Sequence, residues 1–231
     1  IILVMLKNKL IASYQLWQWS PVQSSLLKAG LKLGLPIGLQ VFAEVAIFAV
    51  VSLQMAKFSS QVIAAHQSAM NFATLLYAFP VSVSMALPIV ISYEIGANRP
   101  QAARQYAIIG RLTAILFAGL TLTFLYFNRQ MVAGWYGQNP VFIRLTADFL
   151  VFALFFQLAD AFTAPIQGIL RGYKDTTVPF LLGLISFWSL TFPIAFLLEG
   201  TTDLGPKAYW VGLIVGIFAC GITLNILIHI L

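Results

Sequence analysis

Two carboxylates fall inside stretches that composition assigns to lipid. Glu44 lies at the midpoint of an apolar run from Leu33 to Met55, and Asp160 lies in the interior of another, between Phe149 and Leu170. The remaining acids, Glu94, Asp148, Asp175, Glu199 and Asp203, fall near the ends of apolar runs or between them. A charge at bilayer depth costs roughly 2.5–3.5 kcal/mol on insertion scales, so an acid there marks a functional position by default. A buried carboxylate of this kind can exchange a proton, or bind a sodium ion with neighbouring oxygens.

Polar residues accompany both acids at helical spacing. Gln40, Glu44 and Ser52 share one face of the first apolar segment. Gln67, Asn71 and Thr74 share a face of the second, and Gln157, Asp160 and Gln167 a face of the fourth. Polar stripes on apolar spanning helices point at a bundle interior or a water-filled cavity. Phe42, Phe48, Met70, Phe72, Phe156 and Phe162 lie near them. Aromatic faces together with counter-charges suit a bulky, apolar, cationic ligand. The expected cavity set is Gln40, Phe48, Gln67, Asn71, Phe156 and Gln157, with a possible sodium site at Glu44 and Asp160. A lone intramembrane Gln or Asn more often serves an interhelical hydrogen bond, and His66 by itself reads as a satisfied structural residue.

The elements that must hold these residues are transmembrane helices. The chain has 231 residues, of which 60% are hydrophobic and 9% charged, with a mean hydropathy of +0.91. A water-facing surface needs about 25% charged residues, so the class is a polytopic membrane protein. Six runs are long enough to span: 33–55, 58–93, 108–127, 141–170, 178–198 and 208–231. They are continuous and do not alternate with period two, which argues against a barrel. The expected fold is therefore an all-α, six-helix transmembrane bundle. No signal peptide is recognisable. The apolar opening, residues 1–6, reads as the end of a preceding helix whose start lies outside this sequence. Residues 7–32 read as a cytoplasmic linker, and 33–231 as the six-helix lobe.

In the linker, Trp17 and Trp19 suit a headgroup zone. Ser20-Pro21-Val22-Gln23 fits a capping box with Pro at the first helical position, so a short interfacial helix is expected before the span. Pro80, Pro88, Pro165 and Pro193 fall inside apolar runs and invite kinks. Gly212, Gly216 and Cys220 form a small-residue face for close helix contact.

The net charge of +6 comes from scattered basic residues and forms no nucleic-acid patch. With six crossings, one side collects Lys7, Lys9, Lys28, Lys32, Arg99, Arg104, Arg171 and Lys174. The other collects Lys57, Arg129, Arg144 and Lys207. The richer side should be cytoplasmic, which places the C-terminus inside. One cysteine, Cys220, leaves no internal disulfide and no cysteine-based metal site. The enzyme motifs HExxH and GxSxG do not occur, and neither deep acid follows the Gly-x-Gly that an intramembrane aspartyl protease would carry.

Several segments resemble the multidrug and toxin extrusion (MATE) family, in its NorM-like bacterial branch. Gly34-Leu-Pro-Ile-Gly38, followed by Glu44 and Phe48-Ala-Val-Val51, resembles the seventh helix of those transporters. Ala65-His-Gln-Ser-Ala-Met-Asn-Phe72 is similar to their eighth. Gly168-Ile-Leu-Arg-Gly-Tyr-Lys-Asp-Thr176 resembles the loop after their tenth. The resemblance implies one lobe of a twelve-helix protein, with the N-terminal lobe as its partner in the same polypeptide. It implies a plasma-membrane antiporter that exports organic cations, drugs and toxins, uses a proton or sodium ion as coupling ion, and needs no cofactor. It also implies that Glu44 and Asp160 are the coupling acids and that Gln67 faces the cargo. Many relatives carry a Tyr one turn before the second acid. Phe156 stands there in this chain, which removes a sodium-binding oxygen and favours protons. The loop Tyr136-Gly-Gln-Asn-Pro140 lacks acids that some relatives have. The alternative reading is a flippase of lipid-linked saccharides in the same superfamily, but its cavity would need a wide basic surface, and the deep charges here are acidic.

Overall fold

A computed structural model of the chain describes residue 21 and residues 23–230. The expected helix end at residues 1–6 and the linker up to Ser20, with its tryptophans and the start of its capping box, lie outside the described residues. Six helices are present among the described residues: α1 (Ser24–Gln54), α2 (Ser60–Gly96), α3 (Pro100–Gly134), α4 (Pro140–Gly172), α5 (Thr177–Thr201) and α6 (Lys207–Ile230). Each is long and apolar enough to cross a membrane.

Most of the helices are longer than their apolar runs. At 1.5 Å per residue the 35 residues of α3 span about 52 Å, against a hydrocarbon core of about 30 Å. Their polar ends therefore continue the helix beyond the lipid. α1 begins at Ser24, well before Leu33, because Lys28 and Lys32 are good helix formers and stand exposed on its first turns. The chain divides into two units after Leu35, and the core, helix pairs and cavity described here lie in the second.

Local chemistry sets the boundaries. Ser59 caps α2 by accepting from the Val62 amide at 3.4 Å. Asn139 caps α4 by accepting from the Val141 amide at 2.9 Å, and Pro140 opens that helix where no backbone donor is needed. The turns after α2 and α4 are built alike. Asn98 (φ 56°) and Lys174 (φ 63°) take the left-handed conformation. The next amide then reaches back to a helix carbonyl, Arg99 to Glu94 at 2.8 Å and Asp175 to Leu170 at 3.0 Å, satisfying groups that a helix end leaves orphaned.

α4 is the centre of the bundle and packs on α2, α3 and α6. From Ala159 to Leu170 every residue except Phe162 is buried, the pattern of a helix surrounded on all sides. Its approach to α2 is close because glycine permits it. A Cβ on Gly168 would lie 2.5 Å from the Ser84 carbonyl oxygen, and one on Gly172 would lie 2.8 Å from Ile91 Cβ. Ser84 Oγ donates to the Ala164 carbonyl at 2.7 Å across the same seam. The small-residue face of α6 meets α5: Gly212 lies against the Thr191 carbonyl, and Gly183 against the Cys220 sulfur. Thr163 Oγ1 contacts both the Ala159 and Ile217 carbonyls, tying α4 to α6.

The main core joins Ile47 and Val51 of α1, and Met55 just after it, with Phe149 and Leu150 of α4 and Trp210 and Leu213 of α6. His66 of α2 is fully buried inside it. Trp210 Nε1 donates to His66 Nδ1 at 3.1 Å. A neutral ring that accepts at Nδ1 carries its proton on Nε2, which lies 3.3 Å from Ser52 Oγ. His66 is thus a satisfied core residue, and Ser52 serves it rather than a cavity. Outward-facing side chains such as Phe42, Leu53, Ile89 and Phe127 are more than 70% exposed, a surface that suits lipid and not water. Pro80 and Pro88 sit within α2, Pro165 within α4 and Pro193 within α5, and Pro36 lies within α1.

Candidate functional site

The polar stripes of α1, α2 and α4 enclose a cavity of about 350 Å³, within the range of small-molecule sites. Glu44 and Phe48 reach it from α1. Met70, Thr74, Tyr77, Ser84 and Met85 reach it from α2, and Phe156, Asp160, Gln167 and Arg171 from α4. Phe187 of α5 and Ile217 of α6 complete the wall. The lining is mostly apolar and aromatic, with a few convergent polar groups. Phe48 and Phe156 meet edge to face with ring centroids 5.5 Å apart.

The two acids are held differently. Glu44 Oε1 accepts from the Gln40 side-chain amide and from that of Gln167, each at 3.1 Å. Asp160 is 7% exposed, and its Oδ2 has no hydrogen-bond partner among the described residues. A buried carboxylate oxygen without a donor is costly unless something comes to it. Arg171 brings the one guanidinium to this wall. Its Nη2 donates to Gln40 Oε1 at 3.3 Å.

The structure gathers Glu44, Asp160, Phe48 and Phe156 at one cavity and leaves the other four expected lining residues elsewhere. Gln40 stands behind Glu44, in a small space beside Trp188. Gln157 turns away and donates to the Leu76 carbonyl at 3.1 Å, the interhelical role that a lone amide usually has. Gln67 and Asn71 are exposed, and Asn71 Oδ1 accepts from the Tyr136 hydroxyl at 2.9 Å. Gln67 lies one turn before the cavity begins at Met70, whereas Asn71, between the lining residues Met70 and Thr74, turns to Tyr136 instead. Sequence reasoning placed Arg171 in a loop and passed over Tyr77 and Ser84. For Arg171 the signal was present, since it continues the Asp160–Gln167 stripe by one more turn. No cluster of three or more His, Cys, Asp or Glu occurs among the described residues, so a sodium ion here would depend on the two acids with hydroxyl and amide oxygens.

Six apolar helices, five of which line a mostly apolar cavity with buried acids, define a multi-pass membrane protein. The MatE family model matches residues 36–197, and the chain belongs to that family. The chain is 54% identical over 220 residues to a probable multidrug resistance protein NorM of Streptococcus pneumoniae strain R6, covering 95% of this chain and 49% of that protein. It is 48% identical over 194 residues to the Bacillus subtilis strain 168 protein of the same description, covering 84% of this chain and 43% of that one. The chain thus spans about half the length of the curated relatives it matches. Among solved structures, the eukaryotic MATE transporter AtDTX14 superposes with a TM-score of 0.83 at 16% identity, covering 92% of this chain and 48% of that one. The last likeness shows the fold, one six-helix lobe of a MATE-type transporter.

Proposed function

We propose that this chain is the C-terminal half of a cation-coupled antiporter, not an enzyme, that exports organic cations across the plasma membrane with its C-terminus in the cytoplasm. The observation that carries the reading is the placement of Glu44 and Asp160 on one apolar, aromatic-lined cavity within spanning helices. The protein's own chemistry suffices for exchange. An organic cation gains face contacts with Phe48 and Phe156 and a counter-charge from the acids. A proton or sodium ion competes for the same negative charge, so each ligand lowers the affinity for the other and occupancy alternates. The names of the relatives, multidrug resistance protein NorM, support cargo of this kind. The cavity wall sets two acids against one Arg171, which favours cationic cargo over the pyrophosphate of a lipid-linked saccharide.

The test is ethidium efflux from cells expressing the full-length protein, compared with Glu44→Gln and Asp160→Asn, with and without sodium. Loss of efflux in either variant supports the reading, and the sodium dependence of wild type names the coupling ion. Efflux by both variants at the wild-type rate, or none by wild type, would overturn it.

A further inference from the structure

Arg171 stands on the same cavity wall as the acids, at the Glu44 end, and cation exchange by Glu44 and Asp160 does not use it. Its Nη2 donates to Gln40 Oε1 at 3.3 Å. The other end of the same amide, Gln40 Nε2, donates to Glu44 Oε1 at 3.1 Å. A guanidinium can only donate. An amide beside it must therefore turn its carbonyl toward the guanidinium, and its NH2 then faces Glu44. The guanidinium on one side and the carboxylate on the other fix this orientation. An ionised carboxylate only accepts, whereas a protonated one must also donate. With Gln40 held this way and Gln167 donating from α4 at 3.1 Å, Glu44 Oε1 meets two donors. Without the guanidinium, the Gln40 amide is free to turn and offer its carbonyl to a protonated Glu44.

We propose that Arg171 is a positioning residue that acts through Gln40, turning the amide NH2 toward Glu44 and so favouring the carboxylate form that meets a cation, an inference that rests on reading Glu44 as a coupling acid. The titratable and charged groups near Glu44 are Tyr77 of α2, Asp160 and Arg171 of α4, and Cys220 of α6. The part of α5 beside it presents Gly183, Leu184, Phe187 and Trp188, none of them charged. Arg171 is the only cation in this set, and its hydrogen bond to Gln40 is the contact through which it orients the amide beside the carboxylate.

The experiment uses dicyclohexylcarbodiimide, an apolar reagent that adds to protonated carboxyls and spares carboxylates. The full-length protein is labelled in membranes, and the adduct on the Glu44 peptide is timed by mass spectrometry, with Glu44→Gln as the blank. Arg171→Met should be labelled roughly fivefold faster than wild type, the effect of one hydrogen bond. Gln40→Leu should be labelled faster by a similar factor, and the double variant no faster than either single one. Unchanged labelling in Gln40→Leu overturns the proposal by itself, so the test holds even if Arg171→Met fails to fold. An Arg171→Met effect that persists in full on the Gln40→Leu background also overturns it, because the guanidinium would then act without the amide. Labelling needs no cargo movement, so this result stands or falls separately from the efflux result.

Discussion

Replacing Gly168 with alanine tests the seam that positions Asp160, Gln167 and Arg171. The added Cβ would lie 2.5 Å from the Ser84 carbonyl oxygen and 3.1 Å from Ser84 Cα. Relaxed carbon contacts fall at about 3.5–4.0 Å, so α2 and α4 must part by about 1 Å. The obstacle is backbone, which cannot swing aside as a side chain could. Overpacking of this kind costs about 1–3 kcal/mol. The Ser84–Ala164 hydrogen bond at 2.7 Å would weaken as well, a loss of about 0.6 kcal/mol in a membrane. Alanine's better helix propensity returns up to about 1 kcal/mol. The net expectation is a destabilisation of about 1–2 kcal/mol. Gly119→Ala is the control, since nothing lies within 4 Å of its added Cβ, and it should be neutral or stabilising. Denaturant unfolding of the full-length protein in detergent, followed by circular dichroism, compares the two. Equal midpoints for Gly168→Ala and Gly119→Ala would refute the account of a glycine-dependent seam.

Two further outcomes follow from contacts away from the cavity. Trp210→Phe keeps a ring against Phe149, whose centroid is 6.2 Å away, but removes the donor to His66 Nδ1. It should cost about 1–3 kcal/mol in the same unfolding assay, and an unchanged midpoint would mean that His66 finds another partner. Burial raises the Tyr136 phenol above the ordinary tyrosine value. The stability this provides is whole below about pH 10 and is lost as pH rises through the raised value. Wild type should therefore lose more stability than Tyr136→Phe between about pH 9.5 and pH 11, and parallel losses would remove Tyr136 from the account.

The fold was legible because lipid imposes a simple rule: a spanning segment must be long, apolar and helical. Each of the six runs became a helix. Their ends were less legible, because Lys28, Lys32 and Arg104 extend helices past the lipid and hydropathy falls before the helix does. In the site, the positions of Glu44 and Asp160 on one cavity were readable from helical period alone. Depth along the helix was not, since the period says which face a residue takes but not where a cavity begins. Gln67 stops one turn short of Met70, where the cavity begins, and Asn71, although level with it, is taken up by the Tyr136 hydroxyl. Gln157 was indistinguishable from Gln167 in sequence, and only the neighbouring Leu76 carbonyl separates a strut from a wall residue. The Gly168–Gly172 pair, spaced like Gly212–Gly216, announced a second close contact that was read only as part of a loop.

The two acids ride on unlike supports. Asp160 belongs to a helix gripped by α2, α3 and α6, with glycine allowing α2 and α6 to come close. Glu44 belongs to a helix that touches its neighbours mainly through side chains such as Ile47 and Val51. The distance between the two carboxyl groups is therefore set from one side: α4 acts as the fixed electrode and α1 as the adjustable one. A small roll of α1 changes the spacing without breaking a glycine seam. The spacing of the pair can thus be tuned by a helix whose resettling requires only side-chain rotamers to change.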